Sequence, residues 1–162
     1  MTKARKVELI SFLSQEFKKS EAVIVCDYKG LTVKELESLR DEARVLDVKV
    51  QVVKNTLAKI SMQEAGIDTV EMQDMNLVIW GEEQITTCKV ASNFADSIKD
   101  KFNIKAGILE GKASDVATVN AMAKLPGKEE LLGMLAAVWM APVRNLTIGI
   151  DALRIKKEEE AA

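Results

Sequence analysis

The hydrophobic positions change period along the chain. Over residues 3–19, Val7, Ile10, Leu13 and Phe17 recur at helical spacing, which predicts an amphipathic helix. Lys3, Arg5, Lys6, Lys18 and Lys19 lie on its other face. "EAVIVC" (21–26) is a short continuous apolar run and predicts a buried strand. "DYKGL" (27–31) follows as a loop whose Gly30 permits a positive-φ turn. Thr32 and Glu35 have the spacing of a capping box, opening a helix through Leu36 and Leu39 to about Val45. Val48, Val50, Val52 and Val53 are β-branched and largely alternate with Lys49 and Gln51, giving a strand at 48–53.

The next helix is expected to be capped by Asn55 or Thr56 and to run to about Ala65, with Gly66 as its terminator. "MNLVIW" (75–80) is a further strand. Residues 85–101 predict a helix with Val90, Phe94 and Ile98 on one face. "FNIKAGILEGK" (102–112) is expected to be one strand, bent at Gly107, and Ser114 and Asp115 start a short helix to about Lys124. Four strands and about five helices in roughly 125 residues predict an α+β fold: one mixed, split-βαβ-like sheet with helices packed on it.

"KLPGK" (124–128) breaks any continuing helix and marks a boundary. The expected domains are therefore residues 1–125 and 126–162. The second part is expected to form one helix to about Ala141 and another opened by Pro142 in its tolerated first-turn position, with only "LTIGI" hinting at a strand. Its apolar residues include Trp139, Val143, Leu146, Ile148, Ile150, Leu153 and Ile155. Such a helix either folds back on the domain or projects to be covered by partner proteins. The pattern leaves both open.

Composition narrows the function. The chain of 162 residues is 48% hydrophobic and 30% charged, enough for a core and for a soluble surface. No run of about 20 apolar residues, as a membrane span needs, stands out. The N-terminal stretch lacks the apolar segment of a secretory signal, so a cytoplasmic location is expected. Cys26 and Cys88 read as isolated buried hydrophobes, not a disulfide framework. There is no histidine, which removes the commonest general base and metal ligand and with it histidine-dependent nucleophilic triads. No metal or cofactor is expected. Residues 1–60 carry 12 Lys/Arg against 9 Asp/Glu, and the remainder 11 against 16. A basic first part suits an anionic partner.

"GILEGKAS" (107–114) fails as a phosphate-binding P-loop: three residues separate Gly107 from Gly111, and Ala113 replaces the hydroxyl residue. It reads as a strand end and turn. A better anion site is the seam at Lys54, Asn55 and Thr56, where a helix start leaves N–H groups unsatisfied and the dipole is positive. Lys59 adds charge one turn on. Tyr28, Lys29 and Gly30 form the analogous seam after the preceding strand, and the two could share one surface. The plainer alternative is that Asn55 and Thr56 only cap and the lysines are only solvated.

"DYKGLTVKELESLR" followed by "VKVQVVKNTLAKI" closely resembles the bacterial large-subunit ribosomal stalk-base family, protein number ten of that subunit and a relative of the archaeal and eukaryotic stalk anchor P-zero. The matching positions are Asp27, Lys29, Gly30, Leu31 and Thr32, then Val52, Val53, Lys54, Asn55, Thr56 and Leu57. "GILEGK", "LAKLP" and the run from Glu129 to Leu132 agree, as does the Ala141–Pro142 break. The similarity covers essentially the whole chain. Residues 61–74 carry no family motif, and the last 13 residues are more polar than a typical family tail.

The resemblance implies a non-enzymatic scaffold whose first domain binds large-subunit rRNA beside ribosomal protein eleven. Lys29, Gly30, Lys54, Asn55, Thr56 and Lys59 are the expected RNA contacts, with Lys3, Arg5 and Lys6 as further cations. The apolar tail residues named above would anchor dimers of the acidic stalk protein, two by the shortness of the tail, and these recruit translational GTPases. Repression of its own messenger is also implied. The alternative class is a small α/β protein holding a nucleotide or other phosphate ligand at the helix start near residue 55, with Asp27 as its carboxylate.

Overall fold

In the computed structural model, residues 3–70, 72–98 and 101–160 are described, the side chains of residues 3 and 4 excepted. The chain divides into two compact units, one up to Leu125 and one from Pro126.

The first unit is built on a sheet of order β2-β3-β1-β4-β5. Its strands are β1 (Ala22–Asp27), β2 (Lys49–Val52), β3 (Asn76–Gly81), β4 (Asn103–Leu109) and β5 (Lys112–Ser114). Its helices are α1 (Lys3–Lys19), α2 (Val33–Val45), α3 (Asn55–Ala65), α4 (Gln84–Ser97) and α5 (Val116–Ala123). The expected split-βαβ arrangement is present twice. β1 and β2 run the same way with β3 between them, and β3 and β4 run the same way with β1 between them. Every neighbouring pair is nevertheless antiparallel, so the sheet is not mixed in its ladders. The α2 and α4 crossovers each skip one strand position, filled by a strand of opposite direction, whereas α3 joins the neighbours β2 and β3.

The central strands read as unbroken apolar runs because both sheet faces are covered. Ala22, Ile24, Cys26, Leu77 and Ile79 face one core with Leu39, Ala43, Phe94, Phe102 and Val119. Val23, Val25, Val78 and Trp80 face another with Leu13 and Phe17 of α1 and Ala58 and Met62 of α3. Phe17 meets Trp80 edge to face at 5.5 Å. Both thiols are buried as expected, and burial pushes the Cys88 thiol up to about 11 and that of Cys26 higher. Val7 departs from the expected buried face and is 66% exposed, because α1 meets the sheet only from its middle onward.

The α2 capping box forms as its spacing predicts. Thr32 Oγ1 accepts from the Glu35 amide, and the Glu35 carboxylate accepts from the Thr32 amide at 2.6 Å. Gly66 closes α3 in the left-handed region at φ 76°. The expected single strand over 102–112 is instead a hairpin. Glu110 and Gly111 both have positive φ, 52° and 79°, a two-residue primed turn that matches strand twist. The irregularity in β4 falls at Lys105, where its register to β1 shifts between Val25 and Cys26; a Cβ at Gly107 would meet Val119 Cγ2 at 2.5 Å, so that glycine lets α5 approach β4.

The second unit is one helix, α6 (Lys128–Glu160), with Pro142 inside it. It is not broken at Ala141, and "LTIGI" is helical. Pro142 removes one backbone bond, to the Val138 carbonyl, which a long helix tolerates with a kink.

Candidate nucleic-acid interface and exposed helix

β1 and β2 end on the side where β3 and β4 begin. α2 and α3 leave from this end, and α3 begins right after β2. α1 finishes two residues before β1 starts, and Glu16 near its end accepts from Trp80 Nε1, at the far end of β3, at 3.3 Å. Its 17 residues span about 25 Å, so its first turns return to the same end. Three helix N-termini therefore gather there, each carrying about half a positive charge.

The two polar seams are adjacent, as their place at the ends of β1 and β2 requires. Tyr28 of the first and residues 52–56 of the second line one open groove of about 450 Å³, completed by Asp74, Met75 and Asn76. Lys29, Gly30, Lys54 and Thr56 are exposed, Lys59 is half-buried one turn into α3, and Arg5 and Lys6 are exposed at the start of α1. The Lys3 side chain lies outside the described residues. Lys29, Lys54, Lys59, Arg5 and Lys6 enter no ion pair among the described residues. Gly30 sits at φ 98°, a turn that side-chain-bearing residues rarely adopt.

Neither Asn55 nor Thr56 is the cap. Lys54 occupies that position, and no side chain caps the helix. Asn55 faces inward instead: its Nδ2 donates to the Asp74 carbonyl at 2.9 Å, and its Oδ1 accepts from Asn76 Nδ2 at 3.1 Å. Asn76 Oδ1 in turn accepts from Lys105 Nζ at 3.1 Å, and Lys105 pairs with Asp27 Oδ2 at 3.2 Å. Asp27 Oδ1 then accepts from the Lys29 amide at 3.0 Å. One hydrogen-bonded chain thus fixes both seams across β1, β3, β4 and α3. Both carboxylate oxygens of Asp27 are engaged within it. Sequence reading missed Lys105 and Asn76, whose partners lie about 20 to 80 positions away.

With Asn55 turned inward and no side chain at the cap, the first amides of α3 remain open to a ligand. The arrangement offers unpaired ammonium groups and helix dipoles at one end of a rigid sheet. Among the described residues no group of three or more Asp, Glu, Cys or His is placed to hold a metal.

In α6 no residue is buried. Leu132, Trp139, Leu146 and Leu153 repeat every seven residues, and Ala136, Val143 and Ile150 fall four after the first three, so they form one seam. Ile148 and Ile155 do not belong to it. They continue a row from Met134 and Ala141 that lies roughly 160° around the helix. Trp139 is 74% exposed. The expectation that no segment is apolar enough to cross a membrane does not hold for α6: an 18-residue window reaches a mean hydropathy of 1.4.

A family model described as "Ribosomal protein L10" matches residues 1–96, and one described as "Ribosomal protein uL10 C-terminal region" matches residues 125–161. The chain belongs to the ribosomal protein L10 family. It is 59% identical over 162 residues to the large ribosomal subunit protein uL10 of Aliarcobacter butzleri, covering the whole of both chains. It is 53% identical over 161 residues to that of Sulfurovum sp., and 51% over 160 residues to that of Campylobacter lari, in each case over 99% of this chain and all of the relative. The second uL10 match falls almost entirely on α6, and the first covers both seams.

Proposed function

We propose that the protein is a structural constituent of the large ribosomal subunit that binds rRNA through the end of the sheet where the two seams meet. The observation that carries this reading is the gathering on that end of three helix N-termini and of cations that enter no ion pair among the described residues. Lys29, Gly30, Lys54, Thr56, Lys59, Arg5 and Lys6 make the contacts, and Lys3 belongs to the same basic turn. Structured RNA is met chiefly at its phosphates and by shape. Asn55 contributes by holding the α3 start in place. The role is that of a scaffold, not an enzyme.

α6 is the partner arm. Its two opposite apolar rows require cover on two sides, as helices of small partner proteins provide. Trp139, Val143, Leu146, Ile150 and Leu153 anchor one side, Ile148 and Ile155 the other. The reading assigns acidic stalk protein dimers to this arm, ribosomal protein eleven as the neighbour of the first unit, and cytoplasmic ribosomes as the location. Repression of the protein's own messenger would use the same RNA face. The uL10 match over residues 125–161 favours protein cover of α6 over lipid.

Titration of a stalk-base rRNA fragment at several salt concentrations tests the RNA reading. Lys54→Ala is expected to weaken binding and to lower the salt slope by about 0.7–0.9, the share of one neutralised phosphate. An unchanged affinity and slope would refute the assignment.

A further inference from the structure

The groove between the seams is not built like a phosphate site. Its walls include Val52 and Met75, 41% and 55% exposed, together with Val53 and the chain's single tyrosine, Tyr28. Asp74, an acidic residue, also lines it. Apolar walls and a carboxylate disfavour a bare phosphate. The same features suit a nucleobase, which has apolar faces and donor groups on its edge. At about 450 Å³ the groove falls in the range of small-ligand clefts, roughly 300–1,000 Å³.

Its shape is set before anything binds. Asn55 and Asn76 line it, but their amides are turned to each other, to Lys105 and to the Asp74 carbonyl. They form a fixed wall, not free hydrogen-bonding edges. Thr56 Oγ1 and the Lys54 ammonium make no hydrogen bond among the described residues and stand at the rim.

We propose that this groove receives one unpaired nucleobase of the bound RNA. The base lies against Tyr28, Val52 and Met75, its amino edge reaches Asp74, and its phosphate rests at Lys54 and the open amides of α3. The inference rests on the RNA reading above and deepens it: the protein then reads one extruded nucleotide as well as backbone shape. Adenine, cytosine and guanine carry the exocyclic amino group that Asp74 accepts from; uracil does not.

The test uses the full chain and a stalk-base rRNA fragment in which each unpaired nucleotide is replaced in turn by an abasic one. Met75→Ala, at an exposed position outside both cores, is expected to weaken binding about five- to tenfold while leaving the salt slope unchanged. One abasic position is expected to weaken wild-type binding and to erase the difference between wild type and Met75→Ala. Asp74→Asn, at a residue with φ 62° that asparagine tolerates, is expected to couple to the same nucleotide. If Lys54→Ala weakens binding but Met75→Ala does not, the groove takes something else, such as an apolar side chain of a neighbouring protein, and the inference is overturned. It is overturned equally if Met75→Ala weakens binding without coupling to any nucleotide. If Lys54→Ala is inert, the RNA reading itself fails and the inference with it.

Discussion

Asn55 shows how one residue type can carry two readings. Asparagine after a strand and before a helix is a capping signal, and here it is used as a bracket to Asp74 and Asn76. Short-range chemistry was legible: Thr32, Glu35 and Gly66 act within four positions of themselves. The roles of Asn55, Asn76 and Lys105 were not, because their meaning lies in residues brought close only by the sheet. Glu16 is a second such case. It accepts from Lys49 and from Trp80 Nε1, and these partners, Lys49 first, hold its carboxyl below the ordinary range. Lys49 and Trp80 lie 33 and 64 positions away. A folded-state value below the unfolded one gives stability that is present above the unfolded value. It is lost as pH falls through the folded one. Glu16→Gln is therefore expected to flatten the decline in stability below about pH 4.3. Urea unfolding followed by Trp80 fluorescence across that range measures it. An acid limb as steep as in the wild type would remove Glu16 from the account. Glu35 is depressed in the same direction by the Thr32 amide, so part of the limb remains.

Elements whose ends carry strong turn chemistry were legible, and those without it were not. α2 was placed to within a residue by its capping box, and β1 and β3 by unbroken apolar runs between polar ends. The turn near Gly111 is legible in "GILEGKAS", but the return strand β5 is not: it is three residues long, and the first turn position holds Glu110, a residue that seldom adopts positive φ. α6 escaped division because the helix on both sides of Pro142 is long enough to survive one missing bond. Its continuity matters for partners. A seam unbroken from Leu132 to Leu153 covers 22 residues, about 33 Å, with its twin row opposite. From Pro142 on, the seam offers two clusters, Val143 with Leu146 and Ile150 with Leu153, before the charged run from Lys156. Native mass spectrometry of the chain with the acidic stalk protein is expected to show two dimers. A saturated complex with three would show that a further part of α6, upstream of Pro142 or beyond Ile155, also docks.

At the scale of the molecule, the two units are stabilised by different things. Every member of both hydrophobic cores lies before Leu125, so the first unit closes its own apolar surface. α6 contributes no buried residue. A lone helix in water draws little stability from propensity alone and depends on packing of its apolar face. Folding of the first unit should then be indifferent to α6, while α6 depends on what covers it. A chain ending at Leu125 is expected to unfold in one cooperative transition within a few degrees of that of the full chain. It should bind the rRNA fragment with the same salt slope and fail to capture the acidic partner. Calorimetry and the salt-dependent rRNA titration check the two halves separately. A large drop in the transition temperature would mean that α6 lends the first unit packing it needs. A loss of RNA affinity with intact folding would mean that α6 itself touches the RNA, and the division of labour between sheet end and helix would have to be redrawn.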